Sequence, residues 1–119
     1  MSDYYTTTND SLSRDEVIAL LDTVDSGYRA ALHILKSARF IRDARVWRNV
    51  IPVYPDRGIY FDRILAIGTF SDGEELLLQC AHSLFNGRSM VALDDVACRL
   101  DAEALDLVLE GIRIRAGRD

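Results

Sequence analysis

The side chains that could perform nucleophilic or metal chemistry are few: Cys80, Cys98, His33 and His82. Cys80 and His82 are two positions apart, and on a helix that separation points them in different directions. The sequence has no C-x-x-C or H-x-x-x-H spacing of the kind that holds zinc. We therefore expect no metal site, two reduced cysteines that serve as small core residues, and two partly exposed histidines.

Cys98 and His82 could still form a thiol–imidazole pair, because they lie on neighbouring predicted helices. Three carboxylates follow or precede Cys98 closely in sequence, Asp94, Asp95 and Asp101, and they would disfavour a thiolate. No glycine-rich loop follows a predicted strand, so a phosphate cradle is not expected either. These observations predict a protein that is not an enzyme and that uses no cofactor.

The strongest compositional feature is a segregation of charge. Residues 29–48 carry six positive side chains against one negative one, Asp43, which is a net of +5 in a chain whose total is −5. The six positive residues are Arg29, Lys36, Arg39, Arg42, Arg45 and Arg48. Such a segment either pairs with the acidic helices of its own chain or meets an acidic partner.

Apolar side chains interrupt this basic segment at helical spacing. Phe40, Ala44 and Trp47 must face the core or a partner, and arginines flank them. An apolar anchor framed by arginine is typical of an interface hot spot. The predicted partner-binding residues are therefore Arg39, Phe40, Arg42, Arg45, Trp47 and Arg48. The expected counterpart is an acidic protein surface, although the same residues could hold phosphates while Trp47 stacks on a base.

The last predicted helix carries two apolar stripes. The predicted core stripe consists of Leu105, Val108, Leu109 and Ile112. Outside it lies a second stripe formed by Leu107, Gly111 and Ile114. Because a glycine would let another helix approach closely, this stripe is a second candidate interface and allows a homo-oligomer. The alternative is that the helix is buried on both sides.

Helix-capping patterns place most of the elements that would carry these residues. Ser13 with Glu16 predicts a helix over about 14–25, and Ser71 with Glu74 predicts one that ends at Asn86-Gly87. A second helix begins near Tyr28 and either continues through residue 47 or restarts near 38. Short and long final helices are expected over about 93–99 and 101–115.

Residues 50–67 allow two interpretations. Pro55-Asp56-Arg57-Gly58 suits a turn, and the flanking β-branched and aromatic residues favour a hairpin over about 50–65. A short helix over 59–66 is the alternative. The overall prediction is an all-α, compact bundle of four to six helices in a single domain over 13–119, preceded by a flexible polar tail over 1–12. No apolar stretch could span a bilayer, so we expect a cytoplasmic protein without a membrane partner.

A pattern of helix ends and core positions runs through residues 71–115. It comprises Ser71, Leu77, Ala81, the run Leu84-Phe85-Asn86-Gly87, Leu100-Asp101 and the closing run Ile112-Arg113-Ile114-Arg115. This pattern resembles a family of small uncharacterised bacterial and phage-borne proteins, in which one helix closes on Leu-[Tyr/Phe]-Asn-Gly and the last on Ile-x-Ile-Arg. The resemblance covers well under half of the chain and implies a phage or mobile-element origin.

Two functions follow as hypotheses. The first is a non-enzymatic protein-interaction module, such as an inhibitor, immunity or accessory protein of a phage or mobile element. The alternative is a nucleic-acid-binding regulator that uses either the basic segment or a helix-turn-helix-like half over 91–115. Asp101, Glu103 and Asp106 count against that alternative, because they would place carboxylates at the base-reading end of the second helix.

Overall fold

Seven helices and one small hairpin make up residues 12–117, the part of the chain that the computed structural model describes. The helices are α1 Arg14–Asp22, α2 Ser26–Leu35, α3 Ala44–Trp47, α4 Phe61–Ala66, α5 Asp72–Asn86, α6 Leu93–Arg99 and α7 Ala102–Arg115. The strands β1 Val50–Ile51 and β2 Gly58–Ile59 pair antiparallel between α3 and α4. The all-α prediction is confirmed, whereas residues 1–11 of the predicted tail lie outside the described residues.

The helix boundaries follow from the capping residues. At the start of α1 the Ser13 hydroxyl accepts from the backbone of Glu16, whose carboxylate accepts from the backbone N–H of Ser13. Ser71 and Glu74 repeat this exchange at the start of α5. Gly87 ends α5 with φ of 73°, a left-handed conformation that costs glycine little. Both predicted capping boxes and the predicted glycine cap are therefore confirmed.

The middle of the chain contains both structures that its sequence allowed. Strand β1 pairs with β2 in the register Val50↔Ile59, and α4 begins two residues after that short hairpin. The helix α2 ends at Leu35 and does not continue through residue 47. Instead, Asp43 caps the single-turn helix α3 by accepting from the backbone N–H of Arg45.

The core is built around α2, which contacts α1, α5 and α7. Five of its apolar side chains are fully buried: Ala30, Ala31, Leu32, Ile34 and Leu35. The core cluster also takes in α3, the hairpin and α4. None of the helices within 12–117 is long and apolar enough to cross a membrane.

The buried face of α7 differs from the predicted one. Leu109 and Ile112 are 45% and 44% exposed, so their placement in the core stripe was wrong. The inner face is formed by Ala104, Val108 and Gly111. A Cβ at position 111 would lie 2.8 Å from Cδ1 of Leu84 in α5. Small residues bring α7 close to its own neighbours, and the larger apolar residues are left facing outward.

This packing corrects the second candidate interface. Gly111 is buried against α5 and cannot admit a helix of another molecule, and Leu107 and Ile114 are half-buried. The glycine does permit a close helix approach, but the approaching helix belongs to the same chain. The alternative interpretation, a helix buried on both sides, does not hold either, because Leu109 and Ile112 are exposed.

Candidate functional site

The two aromatic residues of the predicted partner surface lie in the core. Phe40 is fully buried and Trp47 is 4% exposed. Trp47 donates from Nε1 to the backbone carbonyl oxygen of Phe40 over 2.8 Å. Because α2 stops at Leu35, the chain turns and brings both rings against the core. Both rings therefore face the core, one of the two alternatives that the sequence allowed, and the assignment of the fully buried Phe40 to partner binding was wrong.

Arg39 is held by the acidic start of α7. Its guanidinium donates to Asp101 and, over 3.4 Å, to Glu103. The hydrogen bond to Asp101 raises the pKa of Arg39. The pKa of Asp101 is lowered, first by the N–H of Ala104 that the carboxylate caps and then by Arg39. This ion pair between the basic segment and an acidic helix matches the intramolecular alternative in the charge analysis.

Arg45 is likewise engaged within the protein. Its guanidinium lies 2.7 Å from the carboxylate of Asp43 and donates to both the hydroxyl and the carbonyl oxygen of Thr69. It also sits 3.9 Å from the ring centroid of Phe70. The hydrogen bond from Arg45 is the main reason that the pKa of Asp43 is lowered. Arg45 thus joins α3 to the loop that precedes α5.

The other two predicted arginines face solvent. Arg42 and Arg48 are exposed, and neither forms an ion pair with a carboxylate of residues 12–117. Arg48 donates from Nε to the backbone carbonyl oxygen of Ala44 over 3.2 Å. Of the six predicted partner-binding residues, the structure thus leaves these two as available cations.

Arg48 and Trp47 border a surface groove between the start of α1 and α3. We call it the Trp47 groove; its cavity volume is about 420 Å³, and its lining is Leu12, Ser13, Arg14, Val17, Ala44, Trp47 and Arg48. The guanidinium of Arg14 lies 5.5 Å from the ring centroid of Trp47. None of the lining residues is acidic. The lining of the groove therefore combines apolar side chains, which form its floor, with two cationic side chains.

Arg14 also lines this groove, although it is not among the partner-binding residues predicted from the sequence. The capping box at Ser13 already placed Arg14 in the first turn of α1. No periodic pattern, however, links that turn to Trp47, which is more than thirty residues away in a segment whose path depends on tertiary packing. The capping signal involves neighbouring residues, whereas the contact between Arg14 and Trp47 joins residues that are far apart in the sequence.

The thiol–imidazole pair that the sequence allowed is not formed by the partners that these side chains have in the structure. Cys98 is exposed, and its Sγ lies 3.6 Å from Oδ1 of Asp94. His82 is buried, and its Nδ1 lies 2.8 Å from the hydroxyl of Ser89. Cys80 is a core residue as predicted, and burial raises its pKa to about 11. The predictions of a core Cys98 and a partly exposed His82 were wrong, because α6 lies at the edge of the fold and Ser89 folds back over α5.

Two further observations bear on chemistry and on nucleic acid. Within the described chain, no group of three or more His, Cys, Asp or Glu side chains could hold a metal ion. Helix α7 packs on α2 and α5, and its N-cap Asp101 and the nearby Glu103 and Asp106 are exposed. Comparison of the chain with protein-family models, curated proteins and solved structures found no match. The resemblance of residues 71–115 to phage-borne proteins stays a prediction.

Proposed function

We propose that this protein is a non-enzymatic interaction module whose Trp47 groove binds an acidic segment of another protein. The observation that carries the proposal is that the guanidinium groups of Arg14 and Arg48 line a groove with an apolar floor and no acidic lining residue. Such a groove favours a partner side chain that is apolar where it meets the floor and a neighbouring carboxylate that meets an arginine.

The chemistry of the two arginines supports an acidic segment as the partner. A guanidinium matches a carboxylate with two parallel hydrogen bonds, and Arg14 also packs on the face of Trp47. Arg14 is the first residue of α1, and Arg48 directly follows α3; both helices are short and capped. The backbones of the two arginines are therefore fixed before a partner binds. A fixed backbone reduces the conformational entropy that binding must overcome.

The size of the groove limits what it accepts. A volume of about 420 Å³ lies toward the lower end of the range for ligand sites, roughly 300–1,000 Å³. It suits one or two side chains of a docked peptide. A role as an inhibitor, immunity or accessory protein of a mobile element is part of the proposal, and the resemblance of residues 71–115 supports only the mobile-element origin.

Selection from a displayed library of random peptides tests the proposal. We expect the wild-type protein to enrich peptides that combine Asp or Glu with an apolar residue, and we expect synthetic copies to bind more weakly as salt rises. The double variant R14E/R48E should lose that binding. The control R29E/R57E changes the same number of exposed arginines outside the groove and should bind as the parent does.

Two results would reject the proposal. One is that R14E/R48E, still folded by circular dichroism, enriches and binds the same peptides as the parent. The other is that no acidic peptide is enriched while a single-stranded DNA oligonucleotide binds and depends on Arg14 and Arg48. That second outcome would favour the nucleic-acid-binding alternative.

A further inference from the structure

A second cavity lies on another side of the molecule, where the start of α4 meets the end of α5. We call it the His82 cavity; its volume is about 560 Å³, and its lining is Ile59, Tyr60, Phe61, Asp62, Arg63, His82, Asn86 and Arg88. It shares no residue with the Trp47 groove. Its polar side chains have no role in the proposed protein binding, so their arrangement calls for a separate explanation.

The imidazole of His82 is buried but incompletely hydrogen-bonded. The residue is 6% exposed, and its ring stacks on Phe61 with centroids 4.9 Å apart. Nδ1 is engaged by the hydroxyl of Ser89 over 2.8 Å. Nε2 has no hydrogen-bond partner within residues 12–117, although the ring lines the cavity. Nε2 is therefore available, at the cavity, to a ligand group that enters it.

The turn after α5 produces this arrangement. The left-handed Gly87 reverses the chain, and Asn86 fixes the turn by accepting from the backbone N–H of Arg88 over 3.0 Å. Ser89 thereby reaches back to His82, and Arg88 is placed at the cavity. The side chain of Asn86 accepts through Oδ1, so its Nδ2 remains as a donor.

Cations outnumber anions around the cavity. Arg63 and Arg88 face a single lining carboxylate, Asp62, and neither arginine forms an ion pair within the described part of the chain. The guanidinium of Arg63 lies over the ring of Tyr60, 4.6 Å from its centroid. Two cationic side chains and an imidazole nitrogen that line one cavity are groups that can bind an oxyanion.

We propose that the His82 cavity binds a small molecule through a phosphate monoester, with Arg63 and Arg88 on its oxygens and Nε2–H of His82 as a further donor. In the complex the Ser89 hydroxyl donates to Nδ1, which keeps the proton of the neutral ring on Nε2. A phosphate offers three acceptor oxygens and close to two negative charges at neutral pH. These match three donor groups, whereas a carboxylate has only two oxygens.

The volume leaves room for the organic part of such a ligand, because it lies well within the usual range for small-molecule sites. Burial is the main reason that the pKa of His82 is lowered, Arg88 lowers it further, and Asp62 opposes both. A bound phosphate dianion would raise that pKa, since it stabilises the protonated ring. Phosphate binding and His82 protonation should therefore strengthen each other.

Calorimetric titration at constant ionic strength tests the proposal with phenyl phosphate, inorganic phosphate and benzoate. We expect saturable one-to-one binding of phenyl phosphate, with benzoate weaker by about tenfold or more, since a lost charged hydrogen bond is worth about 1.5–3 kcal/mol. Inorganic phosphate that binds as well as phenyl phosphate would indicate a free-phosphate site of the same chemistry. Weak binding of inorganic phosphate would indicate that the organic group contributes.

Variants separate this site from non-specific attraction. R88S changes an exposed side chain and should weaken phenyl phosphate binding about tenfold or more. S89A tests the Nδ1 hydrogen bond without touching the buried ring and should also weaken it. R29S and the groove variant R14E/R48E should bind as the parent does. The proposal is overturned if phenyl phosphate shows no saturable binding, or if R88S and R29S weaken it equally.

Discussion

Gly27 in α2 lies directly against the backbone of Phe85 in α5: a Cβ at position 27 would be 2.5 Å from the carbonyl oxygen of Phe85. No side-chain rotation relieves that contact, because the obstructing atom belongs to the main chain of a regular helix. The absence of a side chain at Gly27 therefore sets how closely α2 and α5 approach, and both helices belong to the centre of the fold.

We expect Gly27→Ala to lower the free energy of unfolding by about 1–3 kcal/mol, the usual cost of overpacking. Urea unfolding followed by circular dichroism measures it. Gly111→Ala is the matched comparison, because the one close contact of its Cβ, at 2.8 Å, would be with Cδ1 of Leu84 at the end of a half-buried side chain. That side chain can rotate, and alanine gains about 0.5–1 kcal/mol of helix propensity. A Gly27 variant as stable as the Gly111 variant would contradict this packing.

Trp47→Phe should cost about 1–2 kcal/mol, because it removes the buried donor to the Phe40 carbonyl while keeping most of the ring. The oxygen retains one donor, the backbone N–H of Asp43 at 2.9 Å, which limits the loss. Chemical unfolding of this variant beside Tyr54→Phe provides the measurement. Tyr54 is 81% exposed, so the Tyr54→Phe variant should unfold at the same denaturant concentration as the parent. Equal stability of the two variants would argue against the Trp47–Phe40 hydrogen bond.

Acid should destabilise the protein through Asp43 and Asp101. Both have a pKa lowered in the folded state by hydrogen bonds that their charged forms accept. Their stabilisation is complete above the ordinary aspartate pKa of about 3.9 and is lost as the pH falls through the lowered folded-state values.

The double variant D43N/D101N separates charge from capping, since asparagine also caps helices. It should melt below the parent at about pH 7, yet lose less melting temperature between about pH 7 and pH 2.5. Thermal scans at both pH values measure the difference. If the variant and the parent lose the same amount on acidification, other carboxylates account for the acid sensitivity.

The two cysteines should react very differently. Cys80 is buried and its pKa is raised to about 11, whereas Cys98 is exposed. A thiol reagent at about pH 8 should therefore label one cysteine per folded chain rapidly and the second only after unfolding. Cys98→Ser should abolish the rapid phase. Rapid labelling that survives in that variant would mean that Cys80 is accessible.

The elements that sequence predicts well are those whose signals are local. The capping boxes at Ser13 and Ser71 and the glycine cap at Gly87 each depend on residues within four positions, and all three are present. The hairpin and helix that competed for residues 50–67 both form, because a hairpin of two-residue strands leaves room for α4.

Long-range packing explains the failures. On α7, Leu109 and Ile112 have more apolar surface than Ala104 and Gly111, so a periodicity of hydrophobic residues chooses the wrong face. The face of α7 that is buried depends on how closely α2 and α5 approach, and no residue pattern within α7 gives that information. The contact of Arg14 with Trp47 could not be predicted from the sequence either, because the path of residues 36–43 depends on packing in the core.

Helix α6 is attached to the rest of the molecule far more weakly than its neighbours. Val96 is its only buried residue, and Leu93 in its first turn is 81% exposed. Few buried contacts mean a small free energy of local opening. In deuterated water the amides of α6 should exchange well before those of α2, without the whole protein unfolding. A protease acting on the native chain should accordingly make its first cut, within residues 12–117, close to α6.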